Sequence, residues 1–183
     1  MTQYALLISV TVTFCSLCSA LYFDMRYQRI PNRLCQLTLL MGLIINISFY
    51  SLIGLGQALS GAALALAILL PAYKFRLIGG GDVKIMVAIG AIIGPILIAW
   101  SIAYAIIFGA FTSVLIAMKS VGLNGLKLTF SRYTDSLYTG KYFKPETGDM
   151  GAVKVPYAPA LALGWVLACY LDPDIHALLL SFA

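Results

Sequence analysis

Residues 85–118 read IMVAIGAIIGPILIAWSIAYAIIFGAFTSVLIAM and contain no charged side chain. A helix crosses the roughly 30 Å hydrocarbon core of a bilayer with about 20 apolar residues, so this stretch is too long for one crossing. Gly94-Pro95 favours a break, because glycine relaxes the backbone, whereas proline lacks a hydrogen-bond donor and can begin a new helix. An alternative turn lies at Trp100, since tryptophan is common at membrane interfaces. The stretch therefore predicts two consecutive transmembrane helices.

The composition of the whole chain also indicates a membrane protein. Of the 183 residues, 61% are hydrophobic and 10% are charged, whereas soluble domains are about half apolar and a quarter charged. A soluble domain of this size could not bury so much apolar surface. We therefore exclude a soluble globular protein.

Six apolar runs, including the two above, predict an all-α, polytopic membrane protein with six transmembrane helices. The runs lie near residues 2–23, 34–53, 58–73, 78–93, 96–118 and 155–171. The chain has no internal repeat and no low-complexity tract. Residues 1–183 are therefore predicted to form a single membrane-embedded domain.

The basic residues predict the orientation of these helices. All 12 Lys and Arg residues fall in three groups. The first follows span one, the second brackets the turn between spans three and four, and the third lies between spans five and six: Arg26, Arg29 and Arg33; Lys74, Arg76 and Lys84; Lys119, Lys127, Arg132, Lys141, Lys144 and Lys154. Because Lys and Arg concentrate in cytoplasmic loops, these three loops are predicted to be cytoplasmic and both termini to lie outside. The 54–57 turn, Gly94-Pro95 and the acidic Asp172-Pro173-Asp174 then lie on the opposite side. Such alternation disfavours a nucleic-acid-binding patch despite the net charge of +5.

The 119–154 loop contains apolar residues at helical spacing: Leu123, Leu126, Phe130, Tyr133 and Leu137. Polar residues lie between them, so the pattern predicts an amphipathic helix on the cytoplasmic leaflet. A solvated linker with scattered aromatic residues is the alternative.

Two acidic residues lie at the predicted cytoplasmic ends of spans. Asp24 directly follows the first span, and Asp82 closes the sequence GGGD between the third and fourth spans. Ionisable groups at membrane depth are costly and often functional. Two carboxyls that approach closely share one proton, so one can activate water while the other polarises a peptide carbonyl. The pair therefore predicts acid–base peptide hydrolysis.

Other chemistries find less support in the sequence. The one histidine, His176, lies on the predicted outer side, and no His/Asp/Glu cluster has metal-ligand spacing, so no metal and no cofactor are predicted. Gly79, Gly80 and Gly81 weaken the helix before Asp82 and allow close backbone approach, which suits a site that binds an extended peptide. In the alternative interpretation, Asp24 pairs with Arg26, Asp82 is an N-cap paired with Lys84, and the glycines form a tight turn.

Three motifs resemble those of the type IV prepilin peptidases. Residues 24–32, DMRYQRIPN, match the family's first-aspartate motif D-x-R-x-x-x-I-P-N, and residues 79–84, GGGDVK, match its GxGD motif. Residues 154–159, KVPYAP, resemble the K-x-P-[FY]-x-P entry to the last span. The motifs occur in the family's order, and the resemblance covers essentially the whole chain.

The resemblance implies an aspartic endopeptidase of the bacterial inner membrane with its active site facing the cytoplasm. Such enzymes remove basic cytoplasmic leader peptides from prepilins and pseudopilins, typically after a glycine. Asp24 and Asp82 would be the catalytic pair. Gly79, Gly80 and Gly81 would shape the substrate cleft, and Lys154, Pro156 and Pro159 would line its approach. A homo-oligomer stays an open alternative.

The chain departs from full-length members of this family, which carry paired CxxC zinc ligands in a long first loop and also N-methylate the trimmed pilin. Here that loop is short, and the CxxC of Cys15 and Cys18 lies within the first span without a second pair. The chain is thus similar to the short, peptidase-only form of tight-adherence (Flp) pilus systems, and methylation is not predicted. Short archaeal preflagellin peptidases are similar too. A non-catalytic membrane scaffold or small transporter subunit of a secretion system is the alternative function.

Overall fold

The computed structural model describes residues 3–74, 78–139 and 157–180, and every regular element in these ranges is a helix. Helix α1 spans Gln3–Tyr27, α2 spans Asn32–Lys74, α3 spans Gly80–Thr139, α4 spans Ala158–Leu171 and α5 spans Pro173–Leu180. The all-helical class predicted from the sequence is confirmed.

Three of the described segments are long and apolar enough to cross a membrane: Gln3–Tyr27, Asn32–Lys74 and Gly80–Ser113. Helix α4 is also apolar but shorter. Many large apolar side chains on these helices are exposed, among them Leu37, Ile44 and Leu52, and extensive apolar surface of this kind marks contact with a membrane or a partner. The chain is therefore a membrane protein.

Helix α2 is divided at Ser51, whose φ of 53° and ψ of −135° are non-helical. On one side of Ser51, Gly42 packs against Ile92, and on the other side Gly61 packs against the carbonyl of Gly90. In a straight helix Gly42 and Gly61 would be about 28 Å apart at 1.5 Å per residue, so they could not both reach this one segment of α3. The two parts of α2 therefore fold back on each other at Ser51.

The sequence predicted this turn at residues 54–57, three residues further along. Gly54 is instead the position where the returning segment passes the Asn46 carbonyl, which a Cβ on Gly54 would meet. The glycine thus allows a close approach after the turn, whereas the turn itself lies at Ser51.

The predicted break in the long apolar stretch lies where Gly94-Pro95 indicated. Gly94 has a φ of 78°, a left-handed conformation that favours glycine, and Pro95 follows it directly. Trp100, the alternative site, has helical backbone. The segment around this break is the most buried of the membrane-length segments, since two thirds of its most apolar window is buried, compared with about one third in α1 and α2.

Asn46 stabilises this break from the neighbouring helix. Its buried side-chain Nδ2 lies within hydrogen-bond distance of the carbonyls of Gly42, Ala91 and Ile92, at 3.1, 2.9 and 3.1 Å, and its two N–H groups donate among these three acceptors. Because Pro95 has no N–H, the carbonyl of Ala91 lacks its normal helical donor four residues on. Asn46 supplies that donor, which accounts for a polar side chain in the middle of an apolar run.

We expect Asn46→Ala to destabilise the fold by about 1–3 kcal/mol, because it leaves the buried Ala91 carbonyl without a donor. The measurement is the free energy of unfolding in mixed detergent micelles. Gln57→Ala is the matched control, since Gln57 is an exposed amide in the same helix. Equal stability of the two variants would contradict this assignment for Asn46.

The chain forms two compact units, one of residues Met1–Phe108 with Pro156–Ala183 and the other of residues Gly109–Val155. In the second unit, helical backbone covers residues 109–139, which includes most of the predicted amphipathic segment. The side chains proposed to form its apolar face, and residues 140–154, lie outside the described part. The interfacial location of this helix, and the single domain 1–183, stay predictions.

Candidate active site

Asp24 lies in the last turn of α1, which continues four residues past the predicted end of the first span. The Asp24 carbonyl accepts a hydrogen bond from Gln28 N–H at 2.9 Å, and Gln28 then ends the helix with a φ of 49°. The side chain is only 9% exposed. Its Oδ2 accepts a hydrogen bond from the backbone N–H of Ala158 at 3.3 Å. The start of α4 therefore closes over this carboxyl.

Asp82 lies in the first turn of α3 and is 8% exposed. A Cβ on Gly79 would lie 2.9 Å from Asp82 Oδ2, so the carboxyl packs directly against this glycine. Oδ1 is fully buried and has no hydrogen-bond partner among the described residues. A buried polar atom without a partner is costly in a fold; the described residues hold three others, in Tyr50, Ser101 and Trp165, and Asp82 is the one that is a carboxyl.

The fold brings the two carboxyls together from separate helices. Asp24 and Asp82 are close enough for their charges to interact. Lys84, the partner of Asp82 in the alternative interpretation, donates instead to Asn32 Oδ1 at 2.9 Å. Asp82 is also not an N-cap, because it lies inside the first turn of α3. Two buried carboxyls whose charges interact can carry out proton transfers that neither could perform alone.

Each of the three glycines before Asp82 has a close neighbour. Gly79 contacts the Asp82 carboxyl, a Cβ on Gly80 would lie 3.2 Å from the Tyr73 ring, and a Cβ on Gly81 would lie 3.1 Å from Ile30. The glycines thus allow α2, the α1–α2 turn and the Asp82 side chain to approach the beginning of α3. Their predicted role in shaping a substrate cleft stays a prediction.

The third motif is only partly described. Lys154 and Pro156 lie outside the described residues. Pro159 lies in the first turn of α4, where proline is favoured because the first turn needs no intrahelical donor. It is half-buried and follows Ala158, whose N–H contacts Asp24. Its predicted place near the substrate path stays a prediction.

The described residues include no group of three or more His, Cys, Asp and Glu side chains arranged to hold a metal ion. Cys15 and Cys18 are exposed, free thiols within α1. The absence of a metal or cofactor from the reaction stays a prediction.

The fold and the site define an all-helical membrane protein with two buried carboxyls at one end of its helices. Residues 11–116 match the model of the type IV leader peptidase family, and the chain belongs to this family. The matched segment includes both Asp24 and Asp82. No curated protein and no solved structure matches the chain. The family resemblance drawn from the motifs is thereby confirmed.

Sequence reasoning missed three contacts at this site. The first is the backbone N–H of Ala158 on Asp24, and the second is Ile30 against Gly81. The third is the hydrogen bond between Lys84 and Asn32. The last two contacts join the motif of residues 24–32 to the motif of residues 79–84. The presence of both motifs was therefore the sequence signal from which these contacts could have been predicted. No sequence signal indicated a backbone donor for Asp24.

Proposed function

We propose that this protein is an aspartic endopeptidase that removes the cytoplasmic leader peptides of type IV and Flp prepilins and pseudopilins at the bacterial inner membrane. The observation that carries the proposal is the pair of buried carboxyls, Asp24 and Asp82, in a chain of the type IV leader peptidase family. Family membership gives the class of reaction, and the carboxyl pair gives side chains able to perform it.

The proposed chemistry is hydrolysis without a covalent intermediate. One carboxylate accepts a proton from water as the water oxygen bonds to the scissile carbonyl carbon, and the other carboxyl donates its proton to the carbonyl oxygen. In the second half, the carboxyl that accepted the proton gives it to the leaving amide nitrogen, while the other carboxylate takes a hydroxyl proton from the tetrahedral diol. The carbon–nitrogen bond then breaks, and the pair returns to its starting protonation.

The proposed topology has six transmembrane segments, with the site at the cytoplasmic face. The divisions at Ser51 and Gly94 support it. They split α2 into residues 32–50 and 52–74, and the apolar Gly80–Ser113 part of α3 into residues 80–93 and 95–113, each near the length of one crossing or shorter. The distribution of Lys and Arg supports cytoplasmic placement of the loops next to Asp24 and Asp82. A basic prepilin leader would then reach the site from the cytoplasm, with the apolar pilin helix lying in the bilayer beside the enzyme.

The alternative is a non-catalytic membrane scaffold in which the aspartates only pair with Arg26 and Lys84. The geometry of Asp82 argues against it, because Oδ1 is left without a partner and Lys84 contacts Asn32. A structural aspartate buried at this cost should have its hydrogen bonds satisfied. A methyltransferase activity is not proposed.

Incubation of the purified protein in detergent with a prepilin tests the proposal. The substrate has a basic leader that ends in glycine, followed by an apolar helix, and mass spectrometry identifies the products. We expect a free leader and a trimmed pilin with a single new N-terminus. An intact substrate under conditions where the enzyme is folded, over a panel of prepilins and pseudopilins, would contradict the peptidase function and favour the scaffold.

A further inference from the structure

The turn between α1 and α2 and the first residue of α2 are joined to the beginning of α3 by two contacts. Ile30 packs against Gly81, at 3.1 Å from the position of a Cβ on that glycine. Lys84 Nζ donates a hydrogen bond to Asn32 Oδ1 at 2.9 Å. Two sequence motifs, one containing Asp24 and one containing Asp82, therefore meet directly at their ends.

Lys84 and Asn32 have no part in the proposed proton transfers. Both side chains are exposed, whereas the two carboxyls are buried. The Lys84 ammonium group is engaged by an amide oxygen rather than by Asp82. A lysine in this position has three donors on a flexible stem, and here one of them links two helices.

The short segment between Asp24 and Asn32 has a well-defined path. Gln28 bonds back to the Asp24 carbonyl, and the carbonyl of Pro31 accepts the N–H groups of Leu34 and Cys35 at 3.1 and 3.4 Å. Pro31 has a fixed φ, which further restricts the turn. A movement of Asn32 relative to α3 would therefore be passed to the last turn of α1, where Asp24 lies.

We propose that Asn32 and Lys84 form a clamp that fixes the position of Asp24 relative to Asp82. They are positioning residues rather than catalytic residues, and this inference rests on the proposed function. Lys84 lies two residues after Asp82 on α3, and Asn32 begins α2 immediately after the turn that leaves α1. Holding these two points together sets the separation of the carboxyls before a substrate arrives. The preorganisation matters because a misplacement of about 1 Å can cost roughly 100-fold in rate.

The first test compares kcat and KM for leader cleavage by Lys84→Met, Asn32→Leu and the double variant. We expect each single variant to lower kcat by roughly 10- to 100-fold with KM unchanged, because the carboxyls are displaced while the substrate path is intact. The double variant should be no slower than the slower single variant, since both break the same contact. Asn32→Asp keeps an acceptor for Lys84 and should retain kcat near that of the wild type. Lys74→Met, a change at an exposed lysine at the end of α2, is the matched control.

The other reading of Lys84 gives a different kinetic pattern. If its ammonium group binds the substrate leader or a lipid headgroup, Lys84→Met raises KM or changes activity with lipid composition, and Asn32→Leu has no effect. If the fold-losses in kcat of Lys84→Met and Asn32→Leu multiplied in the double variant, the clamp would also be contradicted.

A second measurement separates failure of the clamp from failure of the peptidase function. In a chain whose four cysteines are replaced by alanine, Asp24→Cys and Asp82→Cys are cross-linked with bifunctional thiol reagents of graded length. We expect only reagents within a narrow range of lengths to cross-link the two cysteines. We expect Lys84→Met to broaden this range, whether or not the protein cleaves a prepilin. An unchanged length profile in the Lys84→Met protein would overturn the clamp even if the wild type is an active peptidase.

Discussion

Asp82→Asn is expected to lower leader cleavage by roughly 10²–10⁴-fold, the usual contribution of a positioned general acid or base. The amide has nearly the shape of the carboxyl and still packs against Gly79, so the beginning of α3 should keep its structure. It can neither donate an acidic proton to the scissile carbonyl nor accept one from water. The loss should therefore appear in the chemical step while binding of the prepilin is retained.

The measurement is cleavage of a co-expressed prepilin at matched membrane abundance of each variant. Asp174→Asn is the control, because Asp174 is an exposed aspartate at the beginning of α5 on the predicted outer side. It should process the prepilin like the wild type. Cleavage near the wild-type rate by Asp82→Asn would show that Asp82 is not part of the reaction.

Gly61→Ala is expected to destabilise the fold by about 1–3 kcal/mol, the usual cost of forcing an extra carbon into a packed interior. The Cβ would meet the Gly90 carbonyl oxygen, and a Cβ on Gly90 would in turn lie 2.6 Å from the Gly61 carbonyl oxygen. The contact is therefore backbone against backbone, and no flexible side chain is available to move aside. Small residues at such crossings allow close helix packing in membranes.

Gly56→Ala is the matched control, since a Cβ at Gly56 has no neighbour within 4 Å. It should be neutral or stabilise the helix by up to about 1 kcal/mol. Both are measured as free energies of unfolding in mixed micelles, together with the yield of folded protein. If Gly61→Ala were as stable as Gly56→Ala, the packing of the second part of α2 against α3 would be wrong.

The sequence predicted those backbone breaks that are caused by residues adjacent in the chain. Gly94-Pro95 marks a break because both residues act on their own backbone, and the structure has a left-handed Gly94 there. The turn in α2 was harder to predict from the sequence, because its central residue is Ser51, which has no particular turn preference in this context. Gly54 attracted the prediction, although its role depends on Asn46, a contact that the sequence alone does not reveal.

In the candidate site, too, the sequence predicted the residues but not the contacts between distant parts of the chain. The sequence singled out Asp24 and Asp82 because acidic residues at membrane depth are rare. Helix α1 continues four residues past the predicted span, since hydropathy falls at the first charge whereas helical hydrogen bonds continue to Gln28. The donor on Asp24 comes from Ala158, far along the chain, and a backbone N–H leaves no signature in the sequence. Asn46 stands out in the sequence as a polar residue within an apolar run, but the sequence does not indicate that it bonds to the carbonyls of Ala91 and Ile92.

The most direct test of the two-aspartate mechanism compares prepilin cleavage by Asp24→Asn, Asp82→Asn and the double variant, at equal membrane abundance. Residues that act as one unit have strongly non-additive effects, because losing either one disables the pair. We expect both single variants to lose nearly all cleavage and the double variant to be no worse than either. Substantial cleavage by Asp24→Asn, or losses that multiply in the double variant, would contradict a shared catalytic pair.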